Sequence, residues 1–93
     1  MVGGTDIANA LLHNVYPSPA TEVVHVLLNN IKDETVSILL TDIKGSRLID
    51  QTVFRKQGIN IYSLDVRSFA ASTYFITVST NDKKETKQIV VTR

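Results

Sequence analysis

The feature that most limits the fold of this 93-residue chain is a succession of short apolar runs separated by turn-forming residues. Six runs follow Thr21, and they cover residues 22–28, 35–41, 47–54, 60–64, 72–80 and 86–92. The interruptions are of types that favour turns, namely Asn29-Asn30, Gly45, Gly58 and Asn81-Asp82. Runs that repeat about every 8–12 residues, with no long amphipathic helix between them, are typical of antiparallel sandwiches and small barrels.

Two of these runs alternate clearly between an apolar and a more polar face. The apolar faces consist of Val36, Ile38 and Leu40 in one run and of Tyr74, Ile76 and Val78 in the other. β-Branched residues on one face, with Thr, Ser, Lys and Asp on the opposite one, suit two stacked sheets whose outer faces are solvated. We therefore predict an all-β fold, an immunoglobulin-like antiparallel β-sandwich of about seven strands.

The chain is long enough for one domain and too short for two. Hydrophobic residues make up 43% of it, so a single core can form without disulfides, for which the chain has no cysteine. We assign residues 1–13 to a linker or leader, because Gly3-Gly4 is flexible and residues 7–12 are only a weak helix-like stretch without a convincing polar face. Residues 14–93 are assigned to the sandwich domain.

Composition argues against nucleic acid and the membrane as partners. Ten Lys and Arg against nine Asp and Glu give a net charge of +1, far below the basic excess of proteins that follow a phosphate backbone. The apolar runs are much shorter than the roughly 20 residues that a membrane-spanning helix needs, so we expect no membrane insertion. The first residues do not resemble a secretory signal. A cytosolic protein and a segment of a longer exported chain both remain open on composition alone.

We expect no catalytic, metal-binding or cofactor-binding residues. The two histidines, His13 and His25, are not part of a zinc-binding spacing, and His25 between valines is typical of a half-exposed strand residue. No serine lies in a Gly-x-Ser-x-Gly motif, and no glycine-rich phosphate loop is present. Four aspartates near strand ends are expected to cap turns through backbone amides, and they are Asp42, Asp50, Asp65 and Asp82.

Four motifs, in order, resemble those of the C-terminal sorting domains of the bacterial type IX (Por) secretion system. Residues 15–21 resemble the family's YPNPA opening, with Tyr16, Pro17 and Pro19 in place. Residues 39–48 resemble its LYDLxGKxV hairpin, with Asp42 and Gly45 in place.

The other two motifs lie nearer the C-terminus. Residues 69–78 resemble the family's LxSGxYxLxV segment, with Tyr74 in place, and residues 87–93 resemble its KKIVVxK ending. The sequence departs from the pattern at Ser18, where Asn is usual, at Thr41, where an aromatic is common, and at Ser72, where Gly is usual. The resemblance covers residues 14–93.

The resemblance implies a non-enzymatic secretion signal. It implies that the domain follows a larger cargo protein covalently and directs that cargo from the periplasm across the outer membrane to the cell surface or the medium. The implied partners are the outer-membrane translocon and a surface protease that commonly removes the domain, after which the cargo is anchored or released.

We expect the last strand to be the element that the translocon recognises, through strand pairing at an exposed edge. Its residues are Lys87, Gln88, Ile89, Val90, Val91, Thr92 and Arg93. The alternative is an immunoglobulin-like or fibronectin-like accessory module that binds carbohydrate or protein or spaces domains. The lack of Trp and the presence of only three Tyr argue against a stacking platform for sugars.

Overall fold

Seven strands form the domain in the computed structural model, which describes residues 12–93 except for the side chain of His13. In chain order they are β1 (Leu12–Tyr16), β2 (Val23–Asn30), β3 (Glu34–Thr41), β4 (Arg47–Arg55), β5 (Gly58–Asp65), β6 (Ser72–Ser79) and β7 (Lys84–Val91). A three-stranded sheet has the order β1-β2-β5, and a four-stranded sheet has the order β4-β3-β6-β7. Every pair of neighbouring strands is antiparallel. The all-β sandwich prediction is confirmed.

The core lies between the two sheets and follows the alternation read from the sequence. Val36, Ile38 and Leu40 of β3 are fully buried, and their counterparts on β6 include Ile76 and Val78, also fully buried. The three-stranded sheet contributes mainly valine and leucine to the same cluster, which includes Leu12, Val15, Val24, Val26, Leu28 and Leu64. Because successive strand residues point to opposite faces, β2, β3 and β6 bury alternate side chains over most of their length.

The first strand reaches into the segment assigned to the linker. Leu12 and His13 belong to β1, and Leu12 is 3% exposed within the core. The rest of the predicted linker, residues 1–11, lies outside the described residues. The sequence analysis did not include β1 among its six runs, because residues 12–16 combine two apolar positions with polar ones and end at Pro17.

Gly45 and Asn81-Asp82 lie in turns, as predicted. The turn predicted at Asn29-Asn30 is wrong, because both residues belong to β2 and pair with β5, and the chain bends at residues 31–33 instead.

Gly45 has a φ of +89° and Gly58 a φ of +115°, values that side-chain-bearing residues rarely adopt. No residue other than glycine has a positive φ in the part of the chain described, so Ser72 does not need the conformation that the family's usual glycine would allow. Both proline peptide bonds, Tyr16–Pro17 and Ser18–Pro19, are cis.

Candidate recognition edge on strand β7

Strand β7 lies at the edge of the four-stranded sheet. It pairs with β6 from Lys84 to Val91, and on its other side only the segment around Ala20 makes a strand-like contact within the described residues. Ile89 and Val91 are each 1% exposed, whereas Val90 on the opposite face is 36% exposed. The C-terminal half of β7 therefore alternates between buried and exposed side chains, but the strand is not enclosed between two neighbours.

The hairpin that leads into β7 determines which backbone groups face outward. The amide of Thr80 donates a 2.8 Å hydrogen bond to the carbonyl of Lys83, which makes these two residues a hydrogen-bonded pair. In an antiparallel ladder such pairs alternate with pairs that point their backbone groups away from each other. The amides and carbonyls of Lys84, Thr86 and Gln88 consequently point away from β6.

The C-terminal part of this edge is covered by the β1–β2 connection. The amide of Ala20 donates to the carbonyl of Val90 at 2.8 Å, and the amide of Thr92 donates to the carbonyl of Ala20 at 2.9 Å. The Val90 amide donates to the Ser18 hydroxyl at 3.3 Å. We call the outward backbone groups of Lys84, Thr86 and Gln88 the open edge of β7, since no backbone group of residues 12–93 pairs with them on that side.

Arg93 is bound by the domain itself. Its guanidinium donates to the carbonyl of Phe69 from Nε at 3.0 Å and from Nη2 at 2.6 Å. It also donates to the carbonyls of Val66 and Thr21. We call this arrangement the Arg93 clamp. Of the seven residues predicted for recognition, Arg93 and Thr92 are therefore engaged within the domain, and Ile89 and Val91 are core residues.

The start of β7 is positively charged. Lys84 and Lys87 are exposed, and neither forms an ion pair within the described residues. Glu85 lies between them, but its Oε1 accepts a 3.0 Å hydrogen bond from the amide of Leu12 in the facing sheet. The two lysines are three positions apart, so their side chains leave β7 on opposite faces.

The family motif around the two prolines lies beside the covered part of β7. Tyr16 contacts His25 with ring centroids 5.3 Å apart, and His25 also shares a 2.8 Å hydrogen bond with the Ser63 hydroxyl. Pro17 and Pro19 flank Ser18, whose hydroxyl bonds to Val90. Ser18 therefore keeps a polar contact at the position where the family usually has Asn.

The Asp42 and Gly45 motif forms the turn between β3 and β4. One carboxylate oxygen of Asp42 accepts hydrogen bonds of 2.9 Å from the amides of Lys44 and Ser46. The amide of Gly45 donates to the Asp42 carbonyl at 3.0 Å. A short acceptor side chain with glycine three residues later is well suited to such a turn.

Of the other three aspartates that were predicted to cap turns through backbone amides, only Asp65 does so. Asp65 accepts from the amide of Arg67 at 3.0 Å, as expected. Asp50 lies within β4 and pairs with Arg47 at 3.4 Å, and Asp82 pairs with Lys32 at 3.3 Å. The sequence alone could not show that Asp65 caps a turn and that Asp50 and Asp82 do not. All three are aspartates near the predicted ends of strands.

Tyr74 fixes the β5–β6 connection from the core side. Its ring is 4% exposed, and its hydroxyl donates a 2.6 Å hydrogen bond to the carbonyl of Ala70, four residues upstream. Phe69 packs beside it, with ring centroids 5.6 Å apart. This is the tyrosine-corner geometry found in immunoglobulin-like sandwiches.

An ion pair marks the start of the same connection. Arg67 donates to both carboxylate oxygens of Asp65, at 3.1 and 3.0 Å. These side-chain hydrogen bonds, followed by the one from the Arg67 amide, lower the pKa of the Asp65 carboxyl below its ordinary value. The pair is solvent-exposed, so its role is local ordering of the corner rather than a large contribution to stability.

Within residues 12–93, no group of three or more His, Cys, Asp or Glu side chains could hold a metal ion. A cavity of about 400 Å³ forms an open polar cleft between the β2–β3 and β6–β7 hairpins. Its lining consists of Lys32, Asp33, Glu34, Thr35, Ser37, Ser79, Thr80, Asn81 and Asp82.

Comparison with known proteins identifies the family. A family model described as the secretion system C-terminal sorting domain matches residues 14–92. No curated protein matches the chain. In the part of the chain that the structure describes, no helix is long and apolar enough to cross a membrane. The match covers most of the chain, and the tyrosine, proline and glycine motifs lie within it, so the chain belongs to the family of type IX secretion C-terminal sorting domains.

Proposed function

We propose that this domain directs a larger cargo protein, to which it is covalently joined, across the outer membrane through the type IX translocon. The family match supports the assignment to sorting. The observation that carries the mode of recognition is the open edge of β7, three residues whose backbone amides and carbonyls face outward. An exposed sheet edge binds an extended segment through main-chain hydrogen bonds.

The predicted recognition residues divide into two roles under this proposal. Ile89, Val91 and Arg93 hold β7 in place, because two are core residues and the third forms the Arg93 clamp. Gln88 and Lys87 lie where a partner can reach them, and both are exposed. Val90 presents its side chain on the outer face while the β1–β2 connection occupies its backbone.

The proposed route follows from this assignment. The cargo crosses the inner membrane by its own signal, the folded domain meets the translocon in the periplasm, and the cargo reaches the surface or the medium. A surface protease then removes the domain, and the cargo is anchored or released. The domain takes part as a ligand in these steps and catalyses none of them.

The test is an export assay with the whole 93-residue chain. The chain is placed after a fluorescent protein that carries a periplasmic signal, in a bacterium with a working type IX system and in a strain without its translocon. We expect fluorescence at the surface or in the medium only in the first strain. Retention in the periplasm of both strains would refute the proposed function.

Deleting residues 87–93 would not test the edge, because it also removes Ile89 and Val91 from the core. The substitution Gln88→Pro tests the open edge more specifically than this deletion. It removes one outward amide and leaves intact the hydrogen bonds to β6, which are made by the alternate residues. We expect it to abolish most export while the domain stays folded, as judged by circular dichroism.

The matched control is Ile61→Pro on β5, the edge strand of the other sheet. The Val66 amide donates to the Glu22 carbonyl at 2.8 Å, so the alternation places the Ile61 amide outward as well. Export of this variant should equal that of the unsubstituted chain. If Ile61→Pro blocks export and Gln88→Pro does not, β5 rather than β7 is the recognition edge.

A further inference from the structure

We infer that the segment recognised by the open edge of β7 is a short extended strand with acidic side chains three residues apart. This inference rests on the proposed function, and it adds the length and the charge pattern of the partner.

The length follows from the two ends of the open edge. The Asn81-Asp82 turn closes one end, and the hydrogen bonds of Ala20 to Val90 and Thr92 close the other. Between them, Lys84, Thr86 and Gln88 offer three outward amides and three outward carbonyls. These positions span five residues, or about 17 Å of extended chain, which a partner strand of about the same length would match.

The charge pattern follows from the lysines on this strand. Lys84 and Lys87 are both exposed and leave β7 on opposite faces. Opposite charges directly across a strand pair attract, and like charges repel. Because the lysines are three positions apart, a strand paired with β7 in either direction would meet them with side chains that are also three positions apart.

Edge lysines have a second explanation, since they also discourage pairing between copies of the same chain. The two explanations make different predictions for charge reversal. Glutamate protects an edge against self-pairing as lysine does, so a purely protective pair tolerates Lys84→Glu with Lys87→Glu. A pair that selects an acidic partner does not tolerate it.

The export assay separates these outcomes. We expect the double variant Lys84→Glu, Lys87→Glu to export on the order of tenfold less cargo than the unsubstituted chain. The control, Lys44→Glu with Lys56→Glu, changes the net charge equally at two exposed turn positions and should export normally. Equal export from both double variants would overturn the inference, and the proposed function would stand if Gln88→Pro still blocked export.

A binding measurement gives a second test that does not depend on how the variants fold. Seven-residue peptides of alternating threonine and valine are titrated into the unsubstituted chain, with glutamate, or in a control peptide lysine, at positions two and five. We expect only the glutamate peptide to shift the backbone amide NMR signals of Thr86 and Gln88. Equal shifts with both peptides would overturn the inference. So would shifts with anionic lipid vesicles and none with the glutamate peptide.

Discussion

Tyr74 and Arg93 bind neighbouring carbonyls of the same connection, Tyr74 that of Ala70 and Arg93 that of Phe69. Tyr74 approaches from the core, and Arg93 approaches from solvent, beyond the end of β7. The β5–β6 connection is thus held on both sides, although it contains no regular secondary structure.

The Tyr74 hydrogen bond can be removed without removing the ring. We expect Tyr74→Phe to lower the free energy of unfolding by about 1 kcal/mol, because the partly buried carbonyl of Ala70 loses its donor. Urea denaturation followed by circular dichroism measures this. The control is Tyr16→Phe, at a ring that is 37% exposed, and it should change stability by much less. Equal losses in the two variants would argue against a specific role for the Ala70 bond.

Arg93→Lys tests whether the Arg93 clamp needs the planar guanidinium group with its several donors. A guanidinium reaches the carbonyls of Phe69, Val66 and Thr21 together, whereas an ammonium group is a single compact donor on a flexible stem. We expect a loss of about 1 kcal/mol and faster amide hydrogen exchange in the β5–β6 connection. The control Arg47→Lys, at an exposed ion pair with Asp50, should have little effect. Unchanged exchange in Arg93→Lys would contradict the clamp.

Gly45 is required for its backbone conformation rather than for space. A methyl group at this position would meet no atom within 4 Å, yet φ is +89°. We expect Gly45→Ala to cost about 1–2 kcal/mol, and Gly45→Asn to cost less because asparagine tolerates the left-handed region. Thermal denaturation of the two variants gives the comparison. A larger loss for Asn than for Ala would indicate that a contact and not φ decides the residue at this position.

The Asp65–Arg67 pair predicts the direction of a titration. Because the hydrogen bonds from Arg67 lower the pKa of Asp65 in the folded state, Asp65 favours folding above its unfolded-state pKa. That contribution disappears as the pH falls through the lowered folded-state pKa. We expect Arg67→Ala to raise the Asp65 pKa toward its ordinary value, read from the pH dependence of its carboxyl carbon NMR signal. Arg47→Ala, which removes an arginine elsewhere, should leave that titration unchanged.

Local patterns were sufficient for most of the fold. The alternation of Val36, Ile38 and Leu40 identified the inner face of β3, and Gly45 identified the turn that follows. Both features depend on residues close in sequence. The two-residue period of a strand and the positive φ of a turn each select particular residue types at neighbouring positions. The strand β1 escaped notice because only Leu12 and Val15 mark its buried face.

Long-range contacts were not predictable in the same way. The hydrogen bond of Ser18 to Val90 joins residues 72 positions apart, and so does that of Arg93 to Thr21. The residue type does not indicate the hydrogen-bond partner in either case, because serine and arginine are common on protein surfaces. The position of β7 at an edge also depends on strand order, which no local pattern encodes.

The bond between Ala20 and Val90 has a consequence for incomplete chains. A chain cut before Val90 retains Ala20 but loses both backbone hydrogen bonds of this fully buried residue, the one to Val90 and the one from Thr92. Such a chain also lacks Val91 and the last anchor of the β5–β6 corner. The remaining part of β7, the strand that we propose the translocon recognises, then loses these stabilising contacts. Under that proposal a translocon that recognises β7 would at the same time verify that synthesis had proceeded through this strand.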